Sequence, residues 1–158
     1  MPSDMTIYLA GPITGKDLDE AHEFFHHRAS ELRKLDYTVL HPMLGKQHLL
    51  GQGEAKPKGY ADPLSRDRAI FGRDQWMVAQ ADILFADITD AESRSLGTTF
   101  EIAWASKQPH TLVIVAGLTE GHCMDHAFIR EAADHVFETV SDAIRLLIDM
   151  SPYVRGQS

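Results

Sequence analysis

The chain has 158 residues, 44% of them hydrophobic and 24% charged, which is the size and balance of one globular domain with a single core. A net charge of −8 argues against a nucleic-acid polymer as partner, because phosphate backbones need a basic face, although a few local donors suffice for a single nucleotide. Cys123 is the only cysteine, so no internal disulfide forms, and no apolar run approaches the roughly 20 residues of a membrane span. Met1-Pro2-Ser3-Asp4-Met5 lacks the basic start and apolar stretch of a signal peptide, so a cytoplasmic address with no membrane partner is expected.

Apolar runs alternate with helical periodicity along the chain. Thr6 to Ala10 is a short β-rich run stopped by Gly11-Pro12, and it reads as the first strand. From Leu18 to Leu35, Ala21, Phe24, Phe25, Leu32 and Leu35 are spaced for one helical face. Tyr37 to Leu40 is the second strand, ended by His41-Pro42. Residues 43–65 contain Gly45, Gly51, Gly53, Gly59, Pro57 and Pro63 with no clean period, and a connection this long in a compact domain suggests a flexible lid over a site. A second helix fits Arg68 to Ala81, followed by a third strand from Ile83 to Ala86. A third helix runs from near Gly97 to Ser106, and Thr111 to Ala116 is the clearest strand. Val136-Phe137 makes a short fifth strand before a last helix from Ser141 to Met150.

Five strands with intervening helices, joined by right-handed crossovers, predict a single flavodoxin-like domain over residues 1–158. This is a doubly wound, five-stranded parallel sheet with helices on both faces. Such sheets bind ligands at the carboxyl ends of their strands. That rule gathers Gly11 to Gly15, His41, Asp87 to Asp90 with Ser95 to Glu101, and Gly117 to His126. Glu101 has two readings. It completes a capping box with Thr98, or it is a carboxylate in the first helical turn, kept ionised by the helix dipole and able to attack the anomeric carbon of a sugar. Glycosyl transfer typically needs a second acidic group for proton transfer. Asp74 is the candidate, its alternative being an exposed helix carboxylate beside Arg73.

Tyr8-Leu9-Ala10-Gly11-Pro12, Asp74 ahead of Ala81-Asp82, and Gly97-Thr98-Thr99-Phe100-Glu101-Ile102-Ala103-Trp104-Ala105 together resemble the nucleoside 2-deoxyribosyltransferases over Ile7 to Ile148. The resemblance implies that Glu101 is the nucleophile forming a deoxyribosyl-enzyme intermediate, that Tyr8 orients it, and that Asp74 contacts the base and handles its proton. Where deoxynucleoside-preferring members carry an aspartate six residues before the nucleophile, this chain has Ser95. Ser95 with the amides of Gly97 and Thr98 at a helix start would accept a 5′-phosphate, as in the similar deoxynucleoside 5′-monophosphate N-hydrolases. His41 sits where those hydrolases place a histidine, but Thr14 stands where they carry an arginine, with Lys16 nearby. The resemblance also places His126 at the 5′ end of the sugar in a neighbouring subunit's site, so a homo-oligomer (dimer or larger) with shared sites is implied.

The substrate-binding set expected is therefore Gly11, His41, Ser95, Gly97, Thr98 and His126, acting on a small deoxynucleoside or deoxynucleotide and a free base. No cofactor is expected. A metal is not expected either: His122 and His126 have ligand-like spacing and Cys123 lies between them, yet no strong third ligand is evident. His22, His26 and His27 read as a solvated face or a subunit contact. Base exchange through Glu101 is the leading expectation. Hydrolysis of a deoxynucleoside 5′-monophosphate and a non-catalytic nucleotide-binding module are the alternatives.

Overall fold

The computed structural model describes residues 5–151, so the stretch Met1 to Asp4, discussed above for its lack of signal character, lies outside the described residues. Five strands, β1 (Thr6–Ala10), β2 (Thr38–Leu40), β3 (Ile83–Asp87), β4 (Leu112–Ala116) and β5 (His135–Phe137), form one sheet in the order β2-β1-β3-β4-β5. All four pairings are parallel, with Tyr8 beside Leu40 on one side and Leu84 on the other. This is the flavodoxin-like order, and it reverses direction between β1 and β3, the position at which such sheets open a crevice.

Alternation along the strands divides the core. Ile7, Leu9, Phe85 and Ile114 face α1 (Leu18–Arg33) and α5 (Val140–Met150), through Phe25, Ala29, Leu32, Ala143 and Leu147. Tyr8, Ala10, Leu84, Ala86 and Val113 face α2 (Asp67–Ala79), α3 (Leu96–Ser106) and α4 (Ala127–Ala132), through Val78, Ile102, Ala105 and Ile129. Because side chains alternate with period two, this register puts the Tyr8 hydroxyl on the α2/α3 face. Helix starts are fixed by side-chain acceptors: Asp17 Oδ1 takes the amides of Asp19 and Glu20, and Thr139 Oγ1 takes that of Asp142. Gly117, at φ +89°, ends β4 where a Cβ would lie 2.7 Å from the Thr89 amide nitrogen, so the close approach of the two strand-end loops requires glycine.

The predicted elements agree with these to within a residue or two at their ends, and the structure adds α4 in a segment to which the sequence assigns no element. It spans 6 residues, too short for a periodic pattern to declare itself. Residues 43–65 hold two 3-10 turns, Gln47–Leu49 and Pro63–Ser65. The segment is strapped to the loop after β1: Gly15 N donates to Ala55 O at 3.0 Å, Ala55 N to Lys16 O at 2.7 Å, and Leu18 N to Gly53 O at 2.8 Å. No helix among the described residues is long and apolar enough to cross a membrane.

Candidate active site

A cavity of about 620 Å³ opens at the carboxyl end of β1. Its lining includes Gly11 to Lys16 after β1, Lys46 and Lys56 to Lys58 from the long loop, Asp74 on α2, and Glu92 to Glu101 leading into α3. The volume is in the range of small-molecule sites. Phe71, Phe100 and Trp104 make one apolar wall, with the Trp104 ring edge-on to Phe71 at 5.1 Å and to Phe100 at 5.7 Å.

Glu101 is 5% exposed and accepts a 2.6 Å hydrogen bond from the Tyr8 hydroxyl, which is itself fully buried. The pairing follows from register: Tyr8 points out of β1 toward the α2/α3 layer, and Glu101 faces inward from α3 together with Ile102 and Ala105. Burial pushes the Glu101 carboxyl up to about 8, with the neighbouring Asp74 adding to the rise and the Tyr8 bond and Lys46 opposing it. Burial and the nearby Glu101 likewise hold the Tyr8 phenol well above its ordinary range. Asp74 lies in the same cavity, buried, with Oδ1 unpartnered among the described residues. Burial raises it to about 6 against the pull of Lys46 and Arg73.

Two expectations for Glu101 are corrected here. Helix α3 starts at Leu96 and its cap is Ser95, whose Oγ accepts from Thr98 N at 3.3 Å and lies 2.9 Å from Thr98 Oγ1. Thr98 is thus inside the first turn, and Glu101 one turn further on pairs with Tyr8 rather than closing a capping box. At that depth the dipole fades and desolvation dominates, so the carboxyl is driven toward its neutral form instead of being held ionised. The reading of Asp74 as an exposed helix carboxylate also fails, because its side chain turns into the cavity beneath the long loop's Lys46 and beside Glu101.

Of the expected ligand-binding residues, Gly11, Ser95, Gly97 and Thr98 line the cavity. His41 does not. It is buried against Phe25, ring centroids 5.6 Å apart, and burial together with the charges of Arg33, His22 and His26 lowers it to about 4. Its Nδ1 is buried with no hydrogen-bond partner among the described residues. His126 is exposed and outside the cavity of its own chain, where its Nδ1 accepts from Phe128 N and caps α4. His122 Nδ1 accepts from Met124 N, and no group of three or more potential metal ligands is assembled among the described residues. The stacked pair His22 and His26 lies on α1, 5.8 Å between ring centroids.

The cavity also holds cations, of which only Lys16 stands out in the sequence. Lys46 is 6% exposed and sits where both Asp74 and Glu101 act on its charge. Lys56, Lys58 and Arg94 also line the cavity, as does Lys16, whose Nζ donates to the Asp90 carbonyl at 2.9 Å. Asp87, by contrast, is committed to holding the loop after β3, accepting from the amide and hydroxyl of Thr89 and facing Arg28.

Residues 7–138 match the family model described as nucleoside 2-deoxyribosyltransferase. No curated protein matches the sequence. Among solved structures, the chain is similar to a 2-deoxyribosyltransferase from Bacillus psychrosaccharolyticus, at 22% identity and a TM-score of 0.59 over 87% of this chain and 89% of that one. It is also similar to a 2-deoxyribosyltransferase from Leishmania mexicana, at 16% identity and TM-score 0.59 over 92% and 97%. A conserved protein from Enterococcus faecalis superposes at TM-score 0.62 with 16% identity over 94% and 99%.

Proposed function

The chain belongs to the nucleoside 2-deoxyribosyltransferase family, and on that premise we propose that it exchanges the base of a 2′-deoxynucleoside through a deoxyribosyl-Glu101 intermediate. The observation that carries this reading is the 2.6 Å bond from Tyr8 to a buried Glu101 in a cavity that also holds Asp74. In the productive arrangement the pair shares one proton, which must sit on Asp74 while Glu101 is charged. The Tyr8 bond to Oε1 favours that charge, against the desolvation that makes it the minor arrangement of the pair. Glu101 attacks C1′ as the C1′–N bond breaks, and the bonding pair leaves with the base, which takes the proton from Asp74. A second base then attacks C1′, returns its ring proton to Asp74, and frees Glu101. Protonating a ring nitrogen of the departing base contributes about two to four powers of ten. A protein that merely bound nucleotides would gain nothing from burying this carboxyl.

The cationic lining from Lys16, Lys56, Lys58 and Arg94 favours a second reading, N-glycosidic hydrolysis of a deoxynucleoside 5′-monophosphate. In an acidic chain, such local concentration of donors suits a phosphate, and Ser95 with the amides of Gly97 and Thr98 lies in the same lining. We also propose that residues 43–65 act as a lid, since Lys46, Leu49 and Tyr60 of that segment form part of the cavity lining. Its cleavage by protease is expected to slow when substrate binds. We also propose a homo-oligomer in which His126, exposed beside the 78% exposed Phe128, reaches a neighbouring copy's cavity.

Product analysis tests the reaction. The protein is incubated with deoxyinosine or deoxyadenosine, each with and without a 5′-phosphate, plus cytosine. A new deoxynucleoside carrying cytosine establishes transfer, free base with deoxyribose or its 5-phosphate establishes hydrolysis, and no turnover of any substrate sinks both.

A further inference from the structure

Gly45 holds a left-handed turn at φ +75°, with Arg73 Nη1 3.0 Å from where a Cβ would be, immediately before Lys46 enters the cavity lining. The stem of Lys46 is buried, the residue being 6% exposed, and its ammonium, in the cavity lining, makes no hydrogen bond or ion pair among the described residues. Asp74 and Glu101 both act on its charge, and burial lowers its pKa. With three donors and no acceptor among the described residues, the ammonium is free to bond a ligand that enters the cavity it lines. A phosphate is the wrong acceptor, because it would sit against two carboxyl groups. A carbonyl oxygen on the base meets no such repulsion.

An ammonium has three donors and no acceptor, and a protonated Asp74 adds one more donor. The edge of a 6-oxopurine presents two adjacent acceptors, O6 and N7, whereas adenine presents N7 beside a donating amino group. We propose that Lys46 sets the base specificity of the site: it donates to O6 of a 6-oxopurine while Asp74 donates to N7, so hypoxanthine and guanine are preferred over adenine. The inference rests on the reading of Asp74 as the group that protonates the base. As N7 takes the proton and the C1′–N9 bond breaks, the electron pair spreads over the ring toward O6, where Lys46 is placed to hold it.

The test compares kcat/KM for deoxyinosine and deoxyadenosine, in nucleoside and 5′-monophosphate forms, for the wild type and Lys46→Met. The wild type is expected to favour deoxyinosine by roughly ten- to a hundred-fold. Because Lys46 also acts on the Asp74 and Glu101 charges, the variant should lose rate on both substrates, but the loss should be about ten-fold greater or more on deoxyinosine, bringing the ratio toward unity. A wild-type ratio near one, or an equal loss on both substrates in the variant, overturns the proposal. If the wild type cleaves neither, the reaction reading has failed, and calorimetric binding of free hypoxanthine and adenine decides the matter of Lys46. Selective hypoxanthine binding that Lys46→Met abolishes supports the proposal, and its absence refutes it. Thermal melts check folding of the variant, which exchanges a buried charge for an apolar side chain of similar length.

Discussion

Glu101→Gln is expected to inactivate the protein and yet stabilise it increasingly as pH rises. The unfolded chain loses the Glu101 proton near the ordinary value of 4.5, whereas the folded chain keeps it to about 8. Between these values the native state binds one proton more than the unfolded state, so stability falls with increasing pH. The slope is about 1.4 kcal/mol per pH unit, so moving from pH 5 to pH 8 costs the wild type about 3 kcal/mol through this one carboxyl. Glutamine keeps the shape, still accepts from Tyr8, and does not titrate. The stability difference between variant and wild type should therefore widen by about 3 kcal/mol over that range, which is on the order of 10 °C in Tm for a chain of this size. Asp74 and the other groups titrate in both proteins and largely cancel. Scanning calorimetry of both proteins at pH 5, 6.5 and 8 measures it. A Tm difference that stays constant with pH would show that Glu101 is already ionised in the folded protein, and would refute the argument that desolvation outweighs the Tyr8 bond.

The pH dependence of kcat/KM should be bell-shaped, rising near pH 6 and falling near pH 8, with both limbs belonging to the coupled Asp74 and Glu101 pair. A rate that climbs steadily to pH 9 would contradict it. Asp74→Asn should lower kcat by about 10²- to 10⁴-fold; it should also move the Glu101 titration below about 8, because the Asp74 charge helps raise it, which carbon-13 labelling of the glutamates would follow. Tyr8→Phe removes a 2.6 Å bond to that carboxyl and should cost about ten- to a hundred-fold in kcat/KM, with the upper limb displaced to higher pH, since the bond favours the charged form. Ser95→Ala should destabilise by about 1 kcal/mol through loss of the α3 cap. Ser95→Asp should keep the cap while lowering the rate on 5′-monophosphates relative to nucleosides, and unchanged relative rates would remove Ser95 from the substrate's 5′ end.

The sheet was legible because each strand ends at a break the chain announces. Gly11-Pro12 follows β1, His41-Pro42 follows β2, and the run from Thr111 to Ala116 has too many β-branched and apolar residues for an exposed helix. The flavodoxin-like order followed from the alternation of strands and helices, and the crevice rule pointed to Gly11 and to the segment from Ser95 to Glu101, which line the cavity, whereas Tyr8 and the base-contacting role of Asp74 entered only through the family resemblance. What could not be read was depth. Nothing in the sequence distinguishes Thr98 from Ser95 as the cap of α3, since both are good acceptors three residues before a suitable partner. That three-residue shift carries Glu101 from a first turn, where the dipole would keep it charged, into a desolvated site where it is driven neutral.

His41 and Lys46 show the same limit from opposite sides. A histidine at a strand end looks like a ligand contact, but Phe25 rises from α1 on the other face of the sheet's edge and covers its ring. A lysine in a glycine-rich loop looks solvated, as lysines usually are. Here the loop is strapped to the residues after β1 by three backbone bonds that no periodicity foretells, and the strap carries Lys46 down to the two carboxyls. The charge balance of the site therefore depends on long-range contacts, whereas the nucleophile's partner depends only on strand register. Register is encoded locally by alternation, which sets the face of the sheet that Tyr8 takes, while its pairing with Glu101 was implied by the family resemblance and not by the pattern. The loop's path is set by closure against a distant turn, so the cation that tunes them could be found only in the folded chain.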